Sequence, residues 1–186
     1  MIGRYIGRLV TKVAIRGMVV LAPVAATDQT HIVDLRGELP TNGSYGYRPK
    51  EAIEGLVIHH TATAGQTFKR IAEYHVQVKK WPEIGYHYGI GWNEEGREAT
   101  IYMFNDPLEW TNHAKGWNYR TVGCVLMGNY ENIHMTKEQV LASLKLEAYL
   151  RDLYGIRYTK YHSETRATAC PGRFARGALD TALVLH

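Results

Sequence analysis

The stretch Tyr161-His162-Ser163-Glu164-Thr165-Arg166-Ala167-Thr168-Ala169-Cys170-Pro171-Gly172 sets a histidine and a cysteine eight positions apart in polar surroundings. Imidazole and thiolate are both good zinc ligands. Eight residues exceed one helical turn, so the pattern calls for a loop that folds back to aim both side chains at one ion. Pro171 has no N–H to donate and Gly172 tolerates unusual dihedrals, so the chain is expected to bend just after Cys170. Two ligands do not make a site, and the fold has to bring a third from elsewhere. The candidate is Leu56-Val57-Ile58-His59-His60-Thr61-Ala62, an apolar run ending in two histidines. It reads as a buried strand emerging at a surface. Adjacent strand residues point to opposite faces, so His59 or His60 can face the ion, but not easily both. Alternation alone leaves open which.

A length of 186 residues suits one domain with an ample core. The formal charge of +4 is unevenly spread. Residues 1–27 carry Arg4, Arg8, Lys12 and Arg16 and no acidic residue, which leaves 18 basic residues against 18 acidic ones in the rest. The main body is therefore formally neutral, which argues against a nucleic-acid-binding face. Two cysteines in a chain of this size do not make a disulfide scaffold. Cys124, inside the apolar run Thr121–Met127, reads as a small buried hydrophobe, whereas Cys170 has His162 and a Pro-Gly turn beside it.

In residues 1–27 the four basic side chains recur every four positions, as one stripe on a helix, with Ile2, Ile6, Leu9, Val10 and Val13 over much of the remainder. The following run, Met18 to Ala26, is too short for a conventional membrane span but resembles the apolar part of a signal peptide. Three readings stay open: a secretory signal or anchor, an interfacial helix that contacts anionic lipid, and an inert extension. The domain proper is placed at residues 28–186.

Along that domain, a strand is expected around Ile32–Leu35, a turn at Pro40–Ser44, and the strand at 56–60. A helix follows from Thr67 to Lys79, with Phe68, Ile71, Ala72, His75 and Val76 on its packed side. His75 on that face reads as structural. Tyr86–Ile90 alternates like a strand, Asn93–Gly96 reads as a hairpin turn, and Glu98–Phe104 as the returning strand. Trp110–Asn118 is a polar and aromatic loop, and Arg120–Met127 an apolar, central strand. Thr136 opens a long helix, with Gln139 placed for a capping box and Gly155 as the stop. Its expected packed stripe is Val140, Leu144 and Ala148. A last helix is expected from about Arg173 to Leu183.

With these pieces placed, the chain resembles the zinc-dependent N-acetylmuramoyl-L-alanine amidases, a group that includes amidase-type phage lysozymes and peptidoglycan recognition proteins. The resemblance rests on Ile58-His59-His60-Thr61-Ala62, Ile84-Gly85-Tyr86-His87-Tyr88, His113-Ala114-Lys115-Gly116-Trp117-Asn118, Val122-Gly123-Cys124-Val125, and His162 through Gly172, in the family's order. It covers roughly residues 32–180. It implies an α/β fold, a central mixed β-sheet flanked by α-helices. It also implies one zinc ion (Zn2+) per chain, held by His59, His162 and Cys170. Tyr86 matches the family's active-site tyrosine, and Thr168 the threonine of catalytic recognition proteins. Amidase-type phage lysozymes often carry a lysine at the Thr168 position, so the division of labour among these groups departs from theirs. His113, Trp117 and Asn118 are expected to contact substrate. The implied partner is bacterial peptidoglycan. The implied reaction is hydrolysis of the amide between the muramic acid lactyl group and L-alanine, by a monomer acting on the cell wall.

Plainer readings stand beside these. Tyr86 also fits a half-buried strand tyrosine. Trp110, Trp117 and Asn118 also fit loop anchors, and His60 fits a packing or supporting role. His162-Ser163-Glu164 has the His-x-Glu form of zinc deaminases, but Cys170 lacks the second cysteine that chemistry needs. A cysteine hydrolase would use Cys170 as nucleophile and keep its activity under a chelator. A peptidoglycan-binding module would bind without cleaving.

Overall fold

Two adjacent strands are buried along their whole length: β2 (Gly55–His60) and β5 (Thr121–Leu126). Strands covered on both faces read as nearly continuous apolar runs, and these two run parallel at the centre of the sheet. The computed structural model describes residues 30–184 apart from 94 and 97. The expected extension at residues 1–27 therefore lies outside the described residues. Around the central pair stand β1 (Ile32–Asp34), β3 (Tyr88–Trp92), β4 (Ala99–Met103) and β6 (Tyr158–Tyr161). The order across the sheet is β1-β4-β3-β5-β2-β6. Among the described strands, β3 and β4 pair antiparallel and the other neighbours pair parallel, so the sheet is mixed, as expected.

Alternation along β2 and β5 sorts the two faces. Leu56, Ile58, Val122, Cys124 and Leu126 join one cluster with Leu146 and Leu150 of α2 (Lys137–Tyr154) and Leu179 of α3 (Arg173–Val184). Val125, on the other face, packs with Phe68 and Ala72 of α1 (Phe68–Glu73) and with Ile84 and Phe104. Cys124 is fully buried, as a small hydrophobe should be. Among the described residues, no helix is long and apolar enough to cross a membrane.

The local signals work where a side chain or dihedral dictates them. Thr67 caps α1 by accepting from the Arg70 N–H, and the helix continues as a π turn, Tyr74–Val78. Thr136 and Gln139 form the expected capping box, and α2 ends at Gly155. Two expectations need correction. The strand expected at Tyr86–Ile90 lies at Tyr88–Trp92, because pairing with both β4 and β5 begins only at Tyr88. The packed stripe of α2 is Gln139, Ala142, Ser143, Leu146 and Leu150, with Leu144 also buried and Val140 and Ala148 only half-buried at its margin. The stripe admits two polar residues because both are satisfied inside. Gln139 Nε2 donates to the Tyr130 hydroxyl at 2.6 Å, and Ser143 Oγ to the Gln139 carbonyl at 2.8 Å.

Candidate metal and active site

The site forms at the C-terminal end of β2, where the strand delivers His59 to the α1 side and His60 to the opposite one. From the neighbouring strand, β6, the chain enters a 3-10 turn at His162–Glu164. The loop from His162 to Cys170 closes through the Ser163 N–H, which donates to the Cys170 carbonyl at 2.8 Å. A cis peptide joins Cys170 to Pro171. Gly172 then bends the chain at φ 96°, and a Cβ there would stand 2.4 Å from the Tyr130 backbone, so no other residue fits. The outcome is the predicted fold-back. Ligand atoms of His59, His162 and Cys170 all lie within 4.8 Å of one another.

The donor set suits a tetrahedral zinc ion. Two ligands at usual zinc bond lengths stand about 3.5 Å apart, and Cys170 Sγ lies 3.9 Å from His59 Nδ1. Burial pushes the Cys170 thiol up to about 11, while the His60 backbone N–H, 3.4 Å from Sγ, favours the thiolate. Burial also holds His59 and His162 below the ordinary imidazole value, so both are neutral and offer a lone pair.

Which lone pair His59 offers is fixed from behind. His59 Nε2 lies 3.2 Å from His113 Nδ1, and His113 Nε2 lies 3.2 Å from the Thr121 carbonyl oxygen. A carbonyl only accepts, so His113 carries its proton on Nε2. Its Nδ1 then accepts from His59 Nε2–H, and His59 keeps Nδ1 free toward Cys170. Burial holds His113 down at about 3, so it stays neutral. Space for its ring comes from Gly123 on β5, where a Cβ would meet His113 Cγ at 2.5 Å.

His113 is expected from the sequence to contact substrate, and the structure places its ring behind His59. The ring is buried, and both its nitrogens are engaged. Trp117, likewise expected at the substrate, lies away from the ligand cluster. It stacks edge-on against Tyr158, with Lys160 and Arg120 over its ring. Tyr158 and Thr121 pair with Gly55, four residues from His59 and so about 13 Å down the sheet. Asn118 anchors its loop: Oδ1 accepts from the Ala114 N–H at 2.7 Å, and Nδ2 donates to Asn112.

Tyr86 does stand at the cluster, its ring centroid 5.2 Å from that of His59. Burial raises its hydroxyl well above the usual value, with Cys170 adding to the rise, so it remains a donor at neutral pH. Thr168 is exposed, and its Oγ1 accepts from the Cys170 N–H at 3.3 Å. A cleft of ≈ 370 Å³ opens alongside, lined by His60, Thr61, Gln66, Arg70, His75 and Tyr86 among others. His60 holds its surroundings through Nδ1, which accepts from the Tyr130 N–H at 3.3 Å. His75 accepts from the Gly85 N–H at 3.0 Å, which fits its structural reading.

Sequence reasoning missed Arg48 and His87. Both are buried beneath the loop that carries His113. His87 Nδ1 accepts from the Gly123 N–H at 2.9 Å, and Nε2–H donates to the Glu109 carbonyl at 2.8 Å. Its place beside Tyr86 was the available signal. Arg48 offers none, since an isolated arginine reads as surface.

Comparison with known proteins gives the family. The family model described as N-acetylmuramoyl-L-alanine amidase matches residues 49–173. Peptidoglycan-recognition protein SC2 of Drosophila simulans is 30% identical over 127 residues, 62% of this chain. The match spans 66% of that relative's length, slightly under two thirds. The endolysin of Enterobacteria phage T3 is 25% identical over 133 residues, covering 67% of this chain and 84% of the phage protein. Among solved structures, the endolysin amidase LysCS of Clostridium intestinale is 27% identical with a TM-score of 0.68, over 84% of this chain and 97% of that one. The match spans all three converging ligands, and on it the chain belongs to the N-acetylmuramoyl-L-alanine amidase family.

Proposed function

We propose that this chain is a zinc-dependent peptidoglycan amidase, a phage-type endolysin that cleaves the amide between the muramic acid lactyl group and L-alanine of the stem peptide. The observation that carries the proposal is the convergence of His59 Nδ1, a His162 ring nitrogen and Cys170 Sγ, with the His59 tautomer fixed by His113. When bound, a zinc ion supplies Lewis acidity, lowering the pKa of water and polarising the amide carbonyl. His59, His162 and Cys170 would hold it, and three protein ligands is the number usual in catalytic zinc sites.

The chain's own groups do the rest. The Tyr86 hydroxyl, protonated and set beside the ligands on a half-buried side chain, donates a hydrogen bond to the amide oxygen as negative charge builds on it. Thr168 Oγ1, already accepting from the Cys170 N–H, keeps its proton for a second donation to the same region. The cleft beside Tyr86 takes the stem peptide. Residues 1–27, with four basic residues and no acidic one, add contact with anionic membrane in this reading. Their deletion is expected to preserve hydrolysis of purified peptidoglycan while weakening lysis of intact cells; equal behaviour in both assays would make the segment inert.

The test of the main reading is cleavage of purified peptidoglycan with products identified by mass spectrometry, for native, chelated, zinc-restored and Cys170→Ala protein. Release of stem peptides beginning with L-alanine, lost on chelation and in the variant and regained with zinc, is expected. Binding without cleavage by zinc-loaded protein would favour a recognition module instead. Cleavage that resists chelation would favour Cys170 as a nucleophile.

A further inference from the structure

Arg48 sits just before the central strand, with 3% of its surface exposed. Carbonyl oxygens, rather than a carboxylate, receive its guanidinium. Nε and Nη2 donate to Pro107 at 3.1 and 2.8 Å, and Nη1 donates to Asn118 at 2.8 Å and Thr121 at 2.9 Å. Burying a charge against dipoles alone is costly, so the placement calls for a reason. Pro107 opens the connection between β4 and β5, while Asn118 and Thr121 close it. His113 lies between them. One planar fork thus holds both ends of the loop that carries His113. The Thr121 carbonyl it holds is the same one that accepts from His113 Nε2.

We infer that Arg48 is a positioning residue for the metal ligand His59, acting through the Thr121 carbonyl and His113. The chain of contacts runs from Arg48 Nη1 to Thr121 O, from there to His113 Nε2–H, and from His113 Nδ1 to His59 Nε2–H. Each link fixes the orientation of the next. At its end His59 presents Nδ1 to Cys170 and His162 and cannot present Nε2. His87 cannot replace Arg48 in this, because its Nε2 proton is committed to the Glu109 carbonyl and its Nδ1 to the Gly123 N–H. A lysine at position 48 keeps the charge but is a point donor that cannot reach three carbonyls in one plane. The inference rests on the metal site proposed above.

Two measurements test it. In wild-type protein, long-range ¹H–¹⁵N correlation of the histidine rings reads which nitrogen carries the proton, whatever any variant does. His113 and His59 are both expected as Nε2–H; His113 as Nδ1–H would overturn the inference. Zinc affinity is then compared by chelator competition for wild type and R48K, with circular dichroism as the check on folding. A folded R48K is expected to bind zinc about 10- to 100-fold more weakly, the usual loss when a ligand's supporting partner is removed, and to show a second tautomer at His59. R48K that is folded and keeps wild-type affinity would make Arg48 a loop staple only. R48K that does not fold would also make it a residue of the fold and overturn the positioning role. Wild type that takes up no zinc removes the site itself, a failure distinct from both.

Discussion

Replacing Gly123 by alanine tests whether the space left on β5 exists for His113. A Cβ at this position would stand 2.5 Å from His113 Cγ, 2.7 Å from Nδ1 and 2.8 Å from Cβ. Ordinary carbon contacts lie at about 3.5–4.0 Å, so the ring has to retreat by roughly 1 Å. It cannot do so and keep both of its 3.2 Å contacts, to His59 and to the Thr121 carbonyl. Overpacking of this kind costs about 1–3 kcal/mol. A buried polar group left without its partner adds about 1–3 kcal/mol. Removing a strand glycine offsets about 0.5–1 kcal/mol through the unfolded chain. The net expectation is a loss of about 1–5 kcal/mol, a large part of an ordinary domain's stability. Urea denaturation should show a lower midpoint at unchanged slope, and chelator competition should show weaker zinc binding. Gly89→Ala is the control: its Cβ would meet Phe104 at 2.5 Å and Phe68 at 2.7 Å, and no metal ligand. It is expected to lose stability and keep its affinity for zinc. A Gly123→Ala protein that is as destabilised as Gly89→Ala but binds zinc like wild type would refute the role given to the His113 ring.

Three further outcomes follow from the same geometry. Tyr86→Phe removes a donor that is protonated at neutral pH, so kcat should fall about 100- to 1000-fold with little change in KM; an unchanged kcat would leave Tyr86 a packing residue. Zinc uptake has to displace the Cys170 proton, held up to about 11 by burial, while His59 and His162 are already neutral. Apparent affinity should therefore rise about tenfold per pH unit from 7 to 9, and calorimetry in two buffers should count one proton released; none released would remove the thiol from the ligand set. Burial lowers His75 from 6.5 to about 4 in the folded chain. The unfolded chain then binds more protons in that window, so stability is lost as pH falls from 6.5 toward 4, by about 3 kcal/mol from this group. Urea midpoints at pH 7, 5.5 and 4.5 should converge between wild type and His75→Gln, and parallel curves would contradict the assignment.

What the sequence disclosed follows from which interactions are local. The candidate ligands at 162 and 170 were legible because a short loop with its own bend, Pro171-Gly172, has to bring them together, and the capping box at Thr136 and Gln139 because four adjacent residues decide it. Strand alternation limited the third ligand to His59 or His60 without choosing, and the choice came from the resemblance. It depends on which face of β2 meets Cys170, and that is set by parallel pairing with β5 and β6, whose partners for Gly55 are Thr121 and Tyr158, 66 and 103 residues along the chain. The supporting layer was illegible for the same reason. His113 looked like a substrate contact because a histidine in a polar loop is ordinarily exposed. Only the fold shows that Gly123, ten residues on, leaves a hollow that draws the ring behind His59. Arg48 lies further still from what it serves, and its partners are main-chain carbonyls, which carry no mark in a sequence. Side chains that touch the ion must have a particular chemistry and so announce themselves by type. Groups that aim those side chains need only be in the right place, and a hydrogen-bonding chain of Arg48, a carbonyl and His113 can be recognised only after the sheet has set β2 beside β5.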